Sequence, residues 1–199
     1  MPQVRQRYLG VAFVLSKKRA FFVNQAKFRA NLDKSLFFLY HSNMRKCLVT
    51  GSFDPITLGH QDVIEKALRA FDEVSVAILI NPDRYPLFTA EQRACMIQAV
   101  YGDRVNVFTF DGLAVDAAKA IGATFLVRGI RDEDDLAYEI EMADFNRAHG
   151  LETVFFLSDA RLRNVSATKA REGLMSGADH SFIDEGVYAL ALMYLEEKS

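Results

Sequence analysis

Gly51-Ser52-Phe53-Asp54-Pro55-Ile56-Thr57-Leu58-Gly59-His60 is the stretch from which the fold can be read. An apolar run, Cys47-Leu48-Val49-Thr50, leads into it, and an amphipathic pattern from about Gln61 to Phe71 leads out. The segment therefore predicts a strand, a tight turn and the first turn of a helix. Gly51 permits a turn that brings backbone close to a ligand. Pro55 stiffens the loop and withholds a hydrogen-bond donor. Thr57 is suited to cap the helix, and Gly59 leaves no side chain beside His60. Unpaired N–H groups and the positive end of the helix dipole gather at such a point and make an anion site. A histidine placed there can touch a phosphate, which points to nucleotide chemistry. The plainer alternative is a well-capped turn with a surface histidine, but the spacing is more specific than a lone glycine-rich match.

Outward from this stretch, strands and helices alternate from Met44 onward. Strand candidates are 46–50, 74–80, 105–110, 124–128 and 152–157. Helix candidates are 59–71, 89–100, 113–121, 132–149, 166–176 and 184–197. This alternation predicts right-handed βαβ units: an α/β fold, a doubly wound five-stranded parallel sheet of order 3-2-1-4-5 with helices on both faces. In such a sheet ligands bind at the carboxyl ends of the strands, where the strand order reverses. The first strand ends at Gly51-Ser52 and the fourth near Val127-Arg128-Gly129-Ile130-Arg131. Two loops far apart in sequence would thus face one crevice.

Composition sets the bounds. The 199 residues are 50% hydrophobic and 25% charged, enough for one sizeable core. A net charge of −2 argues against a general nucleic-acid binder. Residues 1–43 stand apart: they are basic and Phe-rich, with a single acid, Asp33. A transit peptide or a basic interaction arm has some of that character. We expect instead an upstream start that adds a tail foreign to the fold, so that 44–199 form the domain. Cys47 and Cys95 lack metal-type spacing and are expected to be reduced core residues of a cytoplasmic protein. The uncharged run Tyr8 to Ser16 is well short of the roughly 18 residues a membrane span needs. Lys17-Lys18-Arg19 stands where a signal peptide would have its small-residue cleavage site.

Several side chains could carry chemistry. Arg128 and Arg131 flank Gly129; they could bind phosphates with their planar forks, or pair with the acids from Asp132 to Asp135. Glu139 and Asn146, seven apart, share a helix face. Arg84 follows the second strand and could neutralise a phosphate or be an ordinary surface residue. Ser166 is a good cap, and N–H groups around Thr168 could hold outer phosphates. Lys169 and Arg171 put positive charge at a helix start, which is unfavourable without an anion. There is no Walker A pattern, no Rossmann glycine fingerprint and no metal-type cluster.

Taken together, Met44 to about Leu195 resembles bacterial phosphopantetheine adenylyltransferases. The resemblance rests on Gly51-Ser52-Phe53-Asp54-Pro55-Ile56-Thr57 with Gly59-His60, then Phe88-Thr89-Ala90-Glu91-Gln92-Arg93, Val127-Arg128-Gly129-Ile130-Arg131, and Tyr138-Glu139 with Asn146-Arg147. It implies transfer of an adenylyl group from ATP to 4′-phosphopantetheine, giving dephospho-coenzyme A and pyrophosphate. It implies Ser52, His60 and Arg84 at the reacting phosphates, with Arg84 in the place of a lysine. Phe53, Gly129, Arg131 and Glu139 would lie around ATP, with Ser166 and Thr168 on its outer phosphates. Ser52, Arg84, Arg128, Asn146, Leu113 and Ala114 would lie on the pantetheine side. Mg²⁺ with ATP, a homohexamer and coenzyme A as feedback ligand are implied in the same way; nucleic acid and membrane are not. Ala167 stands where a serine is usual, and Leu162 and Asn164 where aromatics are common, departures that bear on adenine and triphosphate contacts. The competing readings are a pyridine-mononucleotide adenylyltransferase and a non-catalytic nucleotide-binding module.

Overall fold

The computed structural model describes residues 44–177 and 179–197; the extension expected at 1–43 lies outside the described residues. The strands are β1 (Lys46–Gly51), β2 (Glu73–Ile80), β3 (Asn106–Asp111), β4 (Phe125–Ile130) and β5 (Glu152–Leu157). The helices are α1 (Leu58–Ala70), α2 (Ala90–Tyr101), α3 (Ala114–Ile121), α4 (Glu133–Ala148), α5 (Ala167–Ser176) and α6 (Glu185–Glu196). All strands pair in parallel in the order β3-β2-β1-β4-β5, as the alternation predicts.

The small offsets have a physical reason. Five helix starts expected at 89, 113, 132, 166 and 184 are the N-caps Thr89, Leu113, Asp132, Ser166 and Asp184, whose backbone is still extended. Thr89, Asp132, Ser166 and Asp184 carry the helix signal in a capping side chain while standing outside the helix, whereas Leu113 makes no side-chain cap bond. The fourth strand runs two residues past the expected end, so Gly129 and Ile130 belong to β4 itself, not to the loop after it.

The central strand is covered on both sides, which suits its near-continuous apolar sequence. Leu48, Ala77 and Leu126 point to one face and pack with Val115, Ala117 and Ala118 of the alanine-rich α3. By the alternation of strand side chains, Val49, Val127 and Gly129 point to the opposite face. There Gly129 allows a close approach: a Cβ on it would lie 2.5 Å from Cγ2 of Val63 on α1. The missing side chain of Gly129 is thus required by the helix that packs on β4. Cys47 is buried in β1, and burial pushes its thiol up to about 12; Cys95 is half-buried on α2. Among the described residues no helix is long and apolar enough to cross a membrane.

Candidate active site

β1 and β4 are neighbours whose following segments leave in opposite directions, so their carboxyl ends open a cleft. Its volume is about 980 Å³, of the size that small-molecule sites occupy. The β1–α1 turn forms its floor.

Thr57 is the N-cap of α1 and takes part in a reciprocal cap with His60. The Thr57 hydroxyl accepts from the His60 N–H, and the Thr57 N–H donates to Nδ1 of His60 at 3.0 Å. A backbone N–H can only donate, so Nδ1 must be the unprotonated nitrogen and the imidazole proton sits on Nε2. Burial, with Arg128 and Arg131 nearby, holds the imidazole neutral, its pKa lowered to about 4. The result is a neutral ring presenting one N–H in the cleft. The Leu58 N–H is taken by the carbonyl of Phe182, while the Gly59 N–H has no partner among the described residues. A Cβ at Gly59 would meet only ordinary contacts, the nearest at 3.7 Å from Thr57 and Val165. What the glycine keeps clear is therefore cleft space in front of the free N–H, which fits an anion site.

Within the turn, Phe53 has φ 48°, in the left-handed region. A bulky residue there costs about 1–3 kcal/mol and persists only where its surroundings over-determine it. Its ring is buried, lies against Gly51 where a Cβ would come within 3.1 Å, and meets the His60 ring edge-on at 5.0 Å. Space expected beside Gly51 for a ligand is thus filled by Phe53. Asp54 is buried and its carboxylate accepts from the N–H groups of Leu87 and Phe88, at 2.8 and 2.9 Å.

The arginines resolve differently. Arg131 pairs with Asp135 at 2.7 and 2.8 Å, which raises the arginine's pKa and lowers the acid's. Arg128 passes over those acids. Its Nε donates to both Glu139 oxygens at 2.9 Å, its Nη2 also reaches Glu139, and its Nη1 donates to the Thr50 carbonyl at 2.9 Å. The charged surface at the start of α5 is also partnered. Lys169 donates to the Asn164 carbonyl, and Arg171 donates to the Asp54 carbonyl at 2.9 Å and to the Thr168 hydroxyl at 3.2 Å. The positive charge read from sequence as needing an anion thus has protein acceptors already. Ser166 caps α5 through the Lys169 N–H, as expected.

Ser52, Phe53, His60, Arg84, Arg128, Gly129, Arg131, Glu139, Ser166 and Thr168 all line the one cleft. Leu113, Ala114 and Asn146 do not. Leu113 is exposed ahead of α3, Ala114 packs on the core beneath it, and Asn146 is buried with its amide donating to the Thr153 hydroxyl. Sequence reading gave no role to Asp54 or Arg93. Both stand inside quoted blocks, but their partners lie on other elements and carry no local signal.

The sequence profile of the cytidylyltransferase-like family matches residues 48–173. A phosphopantetheine adenylyltransferase of Beijerinckia indica is 45% identical over 154 residues, 73% of this chain and 92% of the relative. One from Porphyromonas gingivalis is 46% identical over 143 residues, 70% of this chain and 94% of the relative. Among solved structures, a bifunctional NMN adenylyltransferase/ADP ribose pyrophosphatase from Francisella tularensis superposes with a TM-score of 0.59. It is 20% identical and is covered over 50% of its length, against 77% of this chain, so the likeness concerns the fold.

Proposed function

The chain belongs to the phosphopantetheine adenylyltransferase family, within the cytidylyltransferase-like group, and from that premise we infer its reaction. It transfers the adenylyl group of ATP to 4′-phosphopantetheine, giving dephospho-coenzyme A and pyrophosphate. A phosphate oxygen of phosphopantetheine attacks the α-phosphorus, a new P–O bond forms, and the bond from that phosphorus to the pyrophosphate oxygen breaks. The attacking phosphate is already an anion, so no general base is needed. Catalysis comes from positioning two anions and stabilising charge at the α-phosphate.

The observation that carries this reading at the site is the cap of α1. It fixes His60 as a neutral Nε2–H donor beside the free Gly59 N–H, both in the cleft. We assign the α-phosphate to these two groups and to the dipole of α1. Ser52 and Arg84 complete the reacting end; the Arg84 guanidinium has no protein partner among the described residues. Phe53, Gly129, Arg131 and Glu139 stand around ATP in this scheme, with Ser166 and Thr168 at its outer phosphates. Arg128 serves the pantetheine side from its fixed place on Glu139. Asn146, Leu113 and Ala114, outside the cleft lining, belong to the extended pantetheine path.

Mg²⁺ with ATP is part of the proposal. The cleft carboxylates Asp54, Asp135 and Glu139 are already engaged by N–H groups or arginines. The described residues therefore offer Mg²⁺ no carboxylate cage, and the fit is to an ion held by phosphate oxygens, where it would neutralise charge. A cytoplasmic homohexamer with coenzyme A as feedback ligand completes it. Exposed Ile140, Met142 and Phe145 on α4 offer apolar surface that assembly would cover.

The test is pyrophosphate release with ATP, Mg²⁺ and 4′-phosphopantetheine. Release that needs both substrates is expected. Release with a pyridine mononucleotide in place of phosphopantetheine would assign the acceptor wrongly, and no release with either would leave a nucleotide-binding module.

A further inference from the structure

The left-handed Phe53 lies between two residues whose carbonyls are gripped by arginines from separate helices. On one side, Nη1 of Arg93 on α2 donates to the Ser52 carbonyl at 2.6 Å. On the other, Nη1 of Arg171 on α5 donates to the Asp54 carbonyl at 2.9 Å and stands 3.5 Å from the Asp54 carboxylate. Rotating Phe53 to a relaxed φ turns the Ser52–Phe53 peptide plane and carries the Ser52 carbonyl away from Arg93. The hydrogen bond and the strained dihedral therefore hold or fail together. Arg171 acts further along, where it fixes the carbonyl of Asp54 and so the far side of the same turn.

Arg93 is a costly device if its purpose were only packing. It is buried, its guanidinium has the carbonyls of Ser52 and Thr89 as acceptors, and no carboxylate lies within ion-pair distance among the described residues. The charges of Asp54 and Glu91 act on it from beyond that distance while burial lowers its pKa; a buried cation bonded only to carbonyls is a costly group, and its retention points to a geometric role. Asp54 closes the arrangement by tying the turn to the backbone just before α2.

We propose that Arg93 and Arg171 are positioning residues that lock the β1–α1 turn in its strained shape and so hold Ser52 and the N-terminus of α1 at the reacting phosphates. The role rests on the adenylyl-transfer reading given above. Neither arginine is assigned a bond to substrate; each acts through a backbone carbonyl.

The experiment uses the full chain and the variants Arg171→Met, Arg171→Lys, Arg93→Met and Arg93→Lys. Turnover, KM for each substrate, ATP affinity by calorimetry, melting, and amide exchange of the peptide covering 51–57 are measured on each. Arg171→Met is expected to lower turnover about 100-fold, the scale of an ångström-sized misplacement. ATP affinity should move less than about threefold, because only orientation is lost. Exchange of the 51–57 peptide should rise about tenfold as the turn loosens. Each lysine variant should recover part of the loss, since an ammonium reaches one carbonyl but not two acceptors. Arg93→Met should behave alike; if it does not fold, Arg171→Met carries the test, its side chain being 34% exposed. Turnover within about twofold of the parent overturns the proposal. So does a loss of ATP affinity in proportion to turnover, which would make the arginine a phosphate ligand, or a loss that merely follows melting. If the parent itself releases no pyrophosphate, the adenylyl-transfer reading fails, and exchange at 51–57 alone still decides whether the two arginines hold the turn.

Discussion

The two loops that border the cleft from β1 and β2 are opposites. In the β1–α1 turn the carbonyls of Ser52 and Asp54 are held by arginines, the Asp54 carboxylate by two N–H groups and the His60 imidazole by Thr57. In the β2–α2 loop, residues 81–86 are all exposed, Tyr85 almost completely so. Its local order is a turn at Asn81, whose side chain accepts from the Asp83 N–H and whose carbonyl accepts from the Arg84 N–H. The loop becomes fixed only at Leu87 and Phe88, where it reaches Asp54. One border is built before any ligand arrives; the other is tethered at its ends and carries its cation free. Pre-organised groups stabilise developing charge without reorganising, whereas an exposed cation on a loop serves capture and closure. On the proposed reaction, the turn would hold its groups ready for the chemistry and the loop would bring Arg84 to the substrate phosphate.

The strongest test of that division is His60→Asn. The asparagine carbonyl can stand near the place of Nδ1 and keep the cap, while the Nε2–H is lost. Turnover should fall about 100- to 1,000-fold, as for loss of an oxyanion donor, with ATP affinity little changed. His60→Ala should lose the same turnover and also about 1 kcal/mol of stability, because the Thr57 N–H loses its acceptor. Near-normal turnover in a stable His60→Asn protein would remove the turn from the chemistry.

Arg128→Met probes whether the rigid border extends to β4. It leaves the carboxylate of Glu139, 8% exposed, without its partner. With the arginine itself partly exposed, a loss of about 2–3 kcal/mol is expected, below the range for fully buried pairs. Arg128→Met with Glu139→Leu should recover melting but not turnover. If the double variant melts as low as the single one, the pair is not what stabilises this wall.

How much of this was legible beforehand differs between the two borders for a physical reason. The fold was readable because each element declares itself locally: apolar runs for strands, and caps such as Thr89, Asp132 and Ser166 for helix starts. The capped turn that holds His60 was readable because strand, turn and cap are contiguous. The grip on the turn was not, because Arg171 and Arg93 come from helices remote in sequence, and only packing brings them to Asp54 and Ser52. Gly129 shows the same limit: its need for a missing side chain is set by Val63, on another element. Arg128 was read as choosing between a ligand and the acids after β4, whereas the turn of α4 offered it Glu139.

On the loop side, Arg84→Ala should raise the KM for phosphopantetheine about tenfold, the lower range for a charge-assisted hydrogen bond. Melting should stay unchanged, because the guanidinium holds nothing in the free protein. Arg84→Lys should recover most of the loss. A clear drop in melting for Arg84→Ala would show that the loop is as built-in as the turn and would erase the contrast.

The last expected effect concerns pH, and it separates the turn's stability from its chemistry. In the folded chain His60 has a pKa of about 4, against an ordinary value of 6.5 for histidine. Between those values the unfolded chain binds a proton that the folded chain refuses, so stability falls as pH drops through this window. The contribution is complete above pH 6.5 and is progressively lost towards pH 4. From pH 7 to pH 5 the loss is about 2 kcal/mol, a shift of several degrees in melting. Asp135 and Asp159 also have lowered pKa values, but their contributions are lost only as pH falls from the ordinary carboxylate value of 3.8 downward, so they matter mainly under pH 4. His60→Asn has no proton to take up and keeps an acceptor for Thr57. Melting of parent and variant, compared at pH 7 and pH 5, should therefore show the parent losing more. Equal losses would mean that the imidazole is not held neutral by the turn, and that the pre-built donor at the heart of the comparison does not exist in the free protein. An NMR titration of the His60 ring, flat down to about pH 5, checks the same point directly.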